Sequence, residues 1–114
     1  MRDIKIGAAQ FEARDADKAY NLVQIETLTR QAIDQGAEIV SFHECCIPGY
    51  TFLQTLSRSR LIDLSEPVPG GSLYTKRLIH IARQNGVLLL VGLVEIDGDH
   101  LYNTYLCVTP DGFL

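Results

Sequence analysis

The chain has 114 residues, of which 46% are hydrophobic, enough to build the core of a single domain. Its 10 basic and 14 acidic residues give a net charge of −4, which argues against a nucleic-acid-binding surface. Three cysteines without framework spacing and an opening without an apolar leader favour a reduced, cytoplasmic setting. The longest apolar run is far too short to cross a membrane, so no membrane partner is expected.

The first predicted elements form a strand–helix–strand unit. A short apolar strand over residues 4–10, interpreted as buried, precedes a helix that Asp15 or Asp17 can cap and that Gly36 can end. Apolar residues recur in this helix at Leu22, Ile25, Leu28 and Ala32, with Val23 and Ile33 widening the stripe. A second strand over residues 38–42 then predicts a parallel pair with the first.

The middle of the chain is harder to interpret. Residues 51–71 show no clear periodicity, apart from a turn signal that Pro67, Pro69, Gly70 and Gly71 supply. Ser72 is well placed to cap a second helix, and Gly86 is well placed to end it.

The last third of the chain predicts a hairpin. A strand over residues 87–96 is apolar on both alternating sets, so we expect it to be central and covered on two faces. Asp97-Gly98 predicts a turn into a returning strand over residues 101–109. A further turn at residues 110–112 leads into the start of another strand at Phe113-Leu114.

One acidic residue stands out because it follows the second strand directly and precedes a Pro-Gly-Tyr loop. The segment reads Phe42-His43-Glu44-Cys45-Cys46-Ile47-Pro48-Gly49-Tyr50. Glu44 would lie at the C-terminal end of a parallel strand, where open α/β folds place functional groups. Position alone favours a solvated loop acid, so the interpretation of Glu44 as a functional residue depends on the surrounding motif.

Several segments share the order and spacing of a known domain. With the Glu44 segment they are the strand at residues 4–10, Val91-Gly92, Tyr102-Asn103-Thr104 and Pro110-Asp111-Gly112. Together they resemble the N-terminal part of a nitrilase, or carbon–nitrogen hydrolase, superfamily domain, and we interpret residues 1–114 as that part. The resemblance implies an α/β fold: part of an αββα sandwich, with a mixed sheet and covering helices, truncated after the fourth strand.

The resemblance also implies a chemistry, the hydrolysis of non-peptide C–N bonds in a small amide or nitrile by a homodimer without cofactor or metal. A cysteine thiolate attacks the substrate carbon, a glutamate acts as base, and a lysine stabilises the tetrahedral intermediate. Only the glutamate maps here, onto Glu44. The lysine and the cysteine are expected after Phe113, so the chain alone should be inactive. Tyr50 is a candidate substrate-binding residue, although an ordinary packed aromatic is equally expected.

Other chemistry-bearing residues have simpler interpretations. Cys45 and Cys46 lack the spacing of metal ligands and the partners of a nucleophile, so we expect small buried hydrophobic residues. Asn103 interrupts an apolar strand face and should be a buried amide with a structural hydrogen bond. His80 and His100 are expected at the surface.

Two alternatives remain open. The first is a non-catalytic module that associates with itself or with a partner, because a strand pattern interrupted at Leu114 should leave an apolar sheet face and a free edge. The second is a small flavodoxin-like binding domain. The predicted hairpin and the lack of a phosphate-binding glycine loop argue against it.

Overall fold

The chain forms one mixed β-sheet with its two longest helices packed on the same face. The structure is a computed structural model that describes residues 1–68 and 71–114. In chain order the elements are β1 (Ile6–Ala8), α1 (Lys18–Asp34), β2 (Ile39–Ser41), a 3₁₀ helix (Thr51–Thr55), α2 (Arg58–Leu64), β3 (Glu66–Pro67), α3 (Leu73–Asn85), β4 (Leu88–Asp97), β5 (His100–Thr109) and β6 (Gly112–Phe113).

The sheet has the order β1-β2-β4-β5-β6 in the described part of the chain, with β3 beside the far end of β4. β1, β2 and β4 run parallel, β4 and β5 form a long antiparallel hairpin, and β6 continues antiparallel to β5. The predicted parallel pair, hairpin and mixed sheet are therefore confirmed. The edge strand β1 is shorter than predicted, and Ile6 within it is 59% exposed, so the interpretation of a buried strand was wrong.

Local capping signals set the ends of α1. The side chain of Asp17 accepts a hydrogen bond from the Tyr20 N–H at 3.0 Å, which stabilises the first turn. Gly36 follows the helix with φ +91°, a conformation that favours glycine. Ile25 is fully buried, but Val23 is 56% exposed, so Val23 does not widen the apolar stripe as predicted.

α3 also begins and ends where the sequence predicts. Ser72 caps it by accepting from the Thr75 N–H at 3.1 Å, and Gly86 ends it in the left-handed region with φ +62°. Glu26 on α1 joins the two helices through Arg77 of α3 at 2.8 Å. His80 on α3 is exposed, as expected.

The core lies between the sheet and these two helices. Its fully or almost fully buried members include Ile25, Val40, Leu78, Ile81, Leu89, Val91, Leu93 and Val108. Alternate residues of β4 supply the centre of this core because side chains two apart in a strand share one face. Burying such side chains contributes roughly 1.5–3 kcal/mol each.

The opposite face of the sheet is covered unevenly. Gly92 and Val94, in the middle of β4, are buried, whereas Leu88, Leu90 and Ile96 on the same face are only half-buried. The prediction that β4 is covered on both faces is therefore right only for the middle of the strand. The reason is that α1 and α3 occupy the same side, so the other side depends on the loops that follow β2.

The segment without clear periodicity contains three short elements. They are the 3₁₀ helix, α2 and β3, and Ser57 caps α2 by accepting from the Arg60 N–H at 3.4 Å. Pro69 and Gly70 of the predicted turn lie outside the described residues. Among the residues that are described, no helix is both long and apolar enough to span a membrane.

Candidate active site

A tight turn follows β2 and carries Glu44 beyond the end of the strand. Phe42 still pairs with β4, its N–H donating to the Leu90 carbonyl at 2.8 Å, and the turn begins at Glu44. Cys45 has φ +47°, a conformation that costs a non-glycine residue roughly 1–3 kcal/mol. Gly49 closes the turn with φ +94°, and its N–H donates to the Cys45 carbonyl at 3.0 Å. The turn leaves the Glu44 side chain exposed at the C-terminal end of a parallel strand.

The turn lies directly on Gly92 of β4. A Cβ at position 92 would come within 2.3 Å of the Cys45 nitrogen and 2.9 Å of the Glu44 carbonyl carbon. The Ile47 N–H donates to the Gly92 carbonyl at 3.2 Å, which holds the turn in this position. Only glycine permits so close an approach of two backbone segments.

A buried amide holds the other side of the turn. Asn21 of α1 is fully buried, and its Nδ2 donates to the Ile47 carbonyl at 2.8 Å and to the Arg14 carbonyl at 2.9 Å. Its Oδ1 accepts from the Arg14 N–H at 2.8 Å. The Ala16 N–H donates to the Pro48 carbonyl at 2.8 Å. Sequence reasoning missed Asn21, although a polar residue beside the apolar stripe of α1 was a visible signal.

Asn103 of β5 connects the hairpin to the turn. Its Nδ2 donates to Oε1 of Glu44, and its Oδ1 accepts from the Cys45 thiol at 3.5 Å. The predicted hydrogen-bonding role is confirmed, but Asn103 is exposed rather than buried. The reason is that this end of the sheet faces a cavity instead of packed side chains.

The surroundings of the two cysteines in the turn keep their thiols protonated. Cys45 is 2% exposed and Cys46 is fully buried, which confirms the expectation of small buried residues. Burial, and secondarily the negative charge of Glu44, raise the pKa of the Cys45 thiol to about 11. Burial is the largest cause that raises the pKa of the Cys46 thiol, to about 12. Because the thiolate is the nucleophile, neither group is suited to attack at neutral pH.

A cavity of about 310 Å³ lies beside the turn. It is lined by Cys45, Tyr50, Leu53, Gln54, Leu61, Val94, Leu101, Tyr102 and Asn103. Its wall is mainly apolar with a few amide and hydroxyl groups, the composition typical of small-molecule sites. Tyr50, the predicted substrate-binding residue, is 47% exposed and forms part of this wall. A larger groove lies elsewhere, between β1 and α1, and contains none of the residues of the turn.

In the described part of the chain, no lysine forms a hydrogen bond or an ion pair with Glu44. Lys18 pairs with Glu66 at 2.6 Å, and the ammonium of Lys5 donates to the Gln35 carbonyl at 3.3 Å. Lys76 is exposed on α3. Within residues 1–68 and 71–114, no group of three or more His, Cys, Asp or Glu side chains could hold a metal ion.

Tyr105 is a further residue at this edge of the sheet that sequence reasoning missed. Its hydroxyl donates to the Phe42 carbonyl and lies 2.9 Å from the Ser41 hydroxyl, so it joins β5 to the end of β2 across Gly92. His43 is held differently, with its ring 4.9 Å from the ring of Phe11. The signal for Tyr105 was its place two residues after Asn103, because alternate residues of a strand share one face.

The sequence of the chain is similar to those of known enzymes. The profile of the family described as carbon-nitrogen hydrolase matches residues 5–114. The chain is 32% identical over 111 residues to a nitrilase of Pyrococcus abyssi, covering 97% of this chain and 41% of that protein. It is 36% identical over 98 residues to an omega-amidase of Mus musculus, covering 85% of this chain and 33% of the relative.

Solved structures share the fold. Nit3 of Saccharomyces cerevisiae, a member of the nitrilase superfamily, superposes with a TM-score of 0.78 at 24% identity, covering 96% of this chain and 41% of the other. An amidase from Nesterenkonia sp. gives a TM-score of 0.74 at 23% identity, with coverages of 97% and 40%. The chain thus spans about two fifths of the length of these two proteins. The family match over residues 5–114 shows that the chain belongs to the carbon–nitrogen hydrolase family.

Proposed function

We propose that residues 1–114 are the N-terminal part of a carbon–nitrogen hydrolase domain and that Glu44 is its general base. The single observation that carries the proposal is the geometry of Glu44, which stands exposed at the C-terminal end of β2 within the family match. A hydrogen bond from Asn103 holds its carboxylate beside the cavity wall. A carboxylate in this position can take a proton from a thiol and later from water.

The proposed substrate is a small amide or nitrile. Relatives include a nitrilase, omega-amidases and an (R)-stereoselective amidase. Their names refer to nitrile and amide groups, both of which contain a carbon–nitrogen bond. The cavity next to Glu44 would receive the organic part of the substrate, with Tyr50 against it. Its mainly apolar wall favours a neutral substituent, since burying an unpaired charge there would be costly.

The nucleophile and the lysine of the family would come from residues outside this chain. The thiols of Cys45 and Cys46 have raised pKa values. Lys5 and Lys18 bond to other residues, and Lys76 is exposed on α3. Losing the nucleophile from a cooperative catalytic set costs about a millionfold in kcat in the subtilisin example. Residues 1–114 alone should therefore show no amide or nitrile hydrolysis.

The test is a base substitution in the protein that carries the complete catalytic set. Glu44→Gln keeps the shape of the side chain and removes the base, so hydrolysis of a small amide should fall by about 10²–10⁴-fold. Glu38→Gln is the matched control, because Glu38 is exposed and pairs with Arg2 at the opposite end of β2. Unchanged activity in Glu44→Gln would refute the assignment of the base.

A second candidate is association through the uncovered part of the sheet. β1 has no strand on its outer side among the described residues, and Ile6 is exposed on it. Exposed strand edges and apolar faces favour pairing with another chain. Sedimentation equilibrium should then show a dimer that Ile6→Lys weakens, whereas Val23→Lys, on the exposed face of α1, does not. A monomer at all concentrations would exclude this candidate.

A further inference from the structure

The amide of Asn103 contacts two different groups of the Glu44 turn. Its nitrogen donates to a carboxylate oxygen of Glu44, and its oxygen accepts from the thiol of Cys45. The two partners fix the orientation of the amide, because a flipped amide would set its oxygen against the carboxylate. Asn103 is therefore held as a donor toward Glu44 rather than free to exchange its two ends.

The carboxylate of Glu44 has little other support. It is exposed, and among the described residues Asn103 is the side chain that hydrogen-bonds it. A free glutamate side chain samples many rotamers, and ordering it costs up to about 2 kcal/mol. A hydrogen bond to an ionised group is among the stronger ones and can offset part of that cost. One oxygen is thus held, while the other stays available for proton transfer.

The backbone of Glu44 is fixed separately. The turn lies against Gly92 of β4, and the register of the hairpin sets Asn103 opposite Val94, two residues farther along β4. Two adjacent strands therefore hold the two ends of Glu44. β4 contacts its backbone, and β5 binds its carboxylate. Such preorganisation matters because a displacement of about 1 Å at a reacting group can cost about 10²-fold in rate.

We propose that Asn103 is a positioning residue for the catalytic base, which holds the carboxylate of Glu44 in the orientation required for proton transfer. The proposal rests on the proposed function of Glu44. A merely structural role would act through the whole turn and would include the contact with Cys45. Cys45→Ala removes the thiol that donates to Asn103 and keeps the carboxylate of Glu44, so the amide signals of Asn103 can compare the two contacts.

The first test is spectroscopic and needs no activity. In a ¹⁵N-labelled protein, the side-chain amide signals of Asn103 are assigned by their loss in Asn103→Asp. In Glu44→Gln these signals should move more than those of any other Asn or Gln side chain, because the charged acceptor is lost. In Cys45→Ala they should move less. If the signals of Asn103 keep their positions in Glu44→Gln, the proposed contact is wrong whatever the enzyme does.

The second test is kinetic and uses the protein with its complete catalytic set. Asn103→Leu keeps the size of the side chain and removes the donor, so kcat should fall about 10²-fold with KM little changed. Thr104→Val is the matched control, because Thr104 is the next residue on β5 and hydrogen-bonds Glu95 instead. If Asn103→Leu folds poorly, Asn103→Ala, which also lacks the donor and adds no charge, should show the same fall in kcat.

The outcomes separate the two proposals. If Glu44→Gln abolishes hydrolysis but Asn103→Leu and Asn103→Ala keep the kcat of the unmodified protein, the positioning role is refuted and the base remains. If Glu44→Gln is fully active, the proposed function itself fails. Losses in kcat at both positions, with Thr104→Val near the unmodified rate, support the positioning role.

Discussion

Substituting Gly92 by alanine tests whether β4 positions the Glu44 turn. A Cβ at this position would lie 2.3 Å from the Cys45 nitrogen, well inside the 3.4 Å at which ordinary contact begins. The atoms it would meet belong to backbone, so no side-chain rotation can relieve the overlap. The turn would have to move by about 1 Å, against the hydrogen bond from the Ile47 N–H.

Two effects of opposite sign decide how much Gly92→Ala changes the free energy of unfolding. Replacing a strand glycine by alanine normally stabilises a protein by about 0.5–1 kcal/mol, because the unfolded chain loses freedom. Overpacking a closely packed site typically costs about 1–3 kcal/mol, and the short distance here indicates the upper part of that range. We therefore expect Gly92→Ala to lower the free energy of unfolding by about 1–2 kcal/mol.

The assay is urea unfolding followed by circular dichroism. Gly71→Ala is the matched control, because a Cβ there would meet only the end of the Lys76 side chain at 3.7 Å. In the protein with its complete catalytic set, Gly92→Ala should also lower kcat, by about 10²-fold if Glu44 moves by 1 Å. An unfolding midpoint for Gly92→Ala at or above that of the unmodified protein would refute the steric argument.

Three further substitutions test the support around the site. Lys18→Met leaves the buried Glu66 without its partner and should cost about 3–5 kcal/mol of stability in urea unfolding, whereas Arg60→Met, which removes a surface pair, should cost less than about 1 kcal/mol. Asn21→Leu removes three hydrogen bonds of a buried amide and should lower the free energy of unfolding by about 1–3 kcal/mol; a neutral result would mean that the turn does not depend on Asn21. Burial raises the pKa of Cys46 from 9.0 to about 12, so above pH 9 the unfolded chain loses this proton while the folded one keeps it. Stability should therefore fall as pH rises from 9 to 12, by about 1.4 kcal/mol per pH unit more than in Cys46→Ala, and equal slopes would contradict the shift.

The sequence predicted those parts of the fold that depend on local chemistry. Asp17, Ser72 and Gly86 set helix ends through contacts within a few residues, and such contacts follow directly from residue type. The hairpin turn at Asp97-Gly98 likewise follows from the residue types within a few positions. The position of Glu44 after a parallel strand was also predictable, because a strand and a loop motif define it together.

The predictions that failed concern the tertiary surroundings of a residue. Val23 fits the helical stripe but faces solvent, because the sheet covers a narrower part of α1 than the apolar pattern suggests. Asn103 was expected to be buried, and its exposure depends on the cavity beside the turn. The steric role of Gly92 could not be derived, since it requires knowing which backbone lies against it. α2 and β3 are too short for periodicity to identify.

The supports of the Glu44 turn come from distant parts of the chain, and this has a consequence for folding. Asn21 contacts the turn across 26 residues, Asn103 across 59, and Tyr105 reaches the end of β2 across 63. Local helices form within about a microsecond, whereas contacts across long loops form more slowly because closing the loop costs entropy. A chain with native helix content can therefore still lack the geometry around Glu44. The site becomes ordered only when the β4–β5 hairpin has docked on β2, so its formation reports the completion of folding.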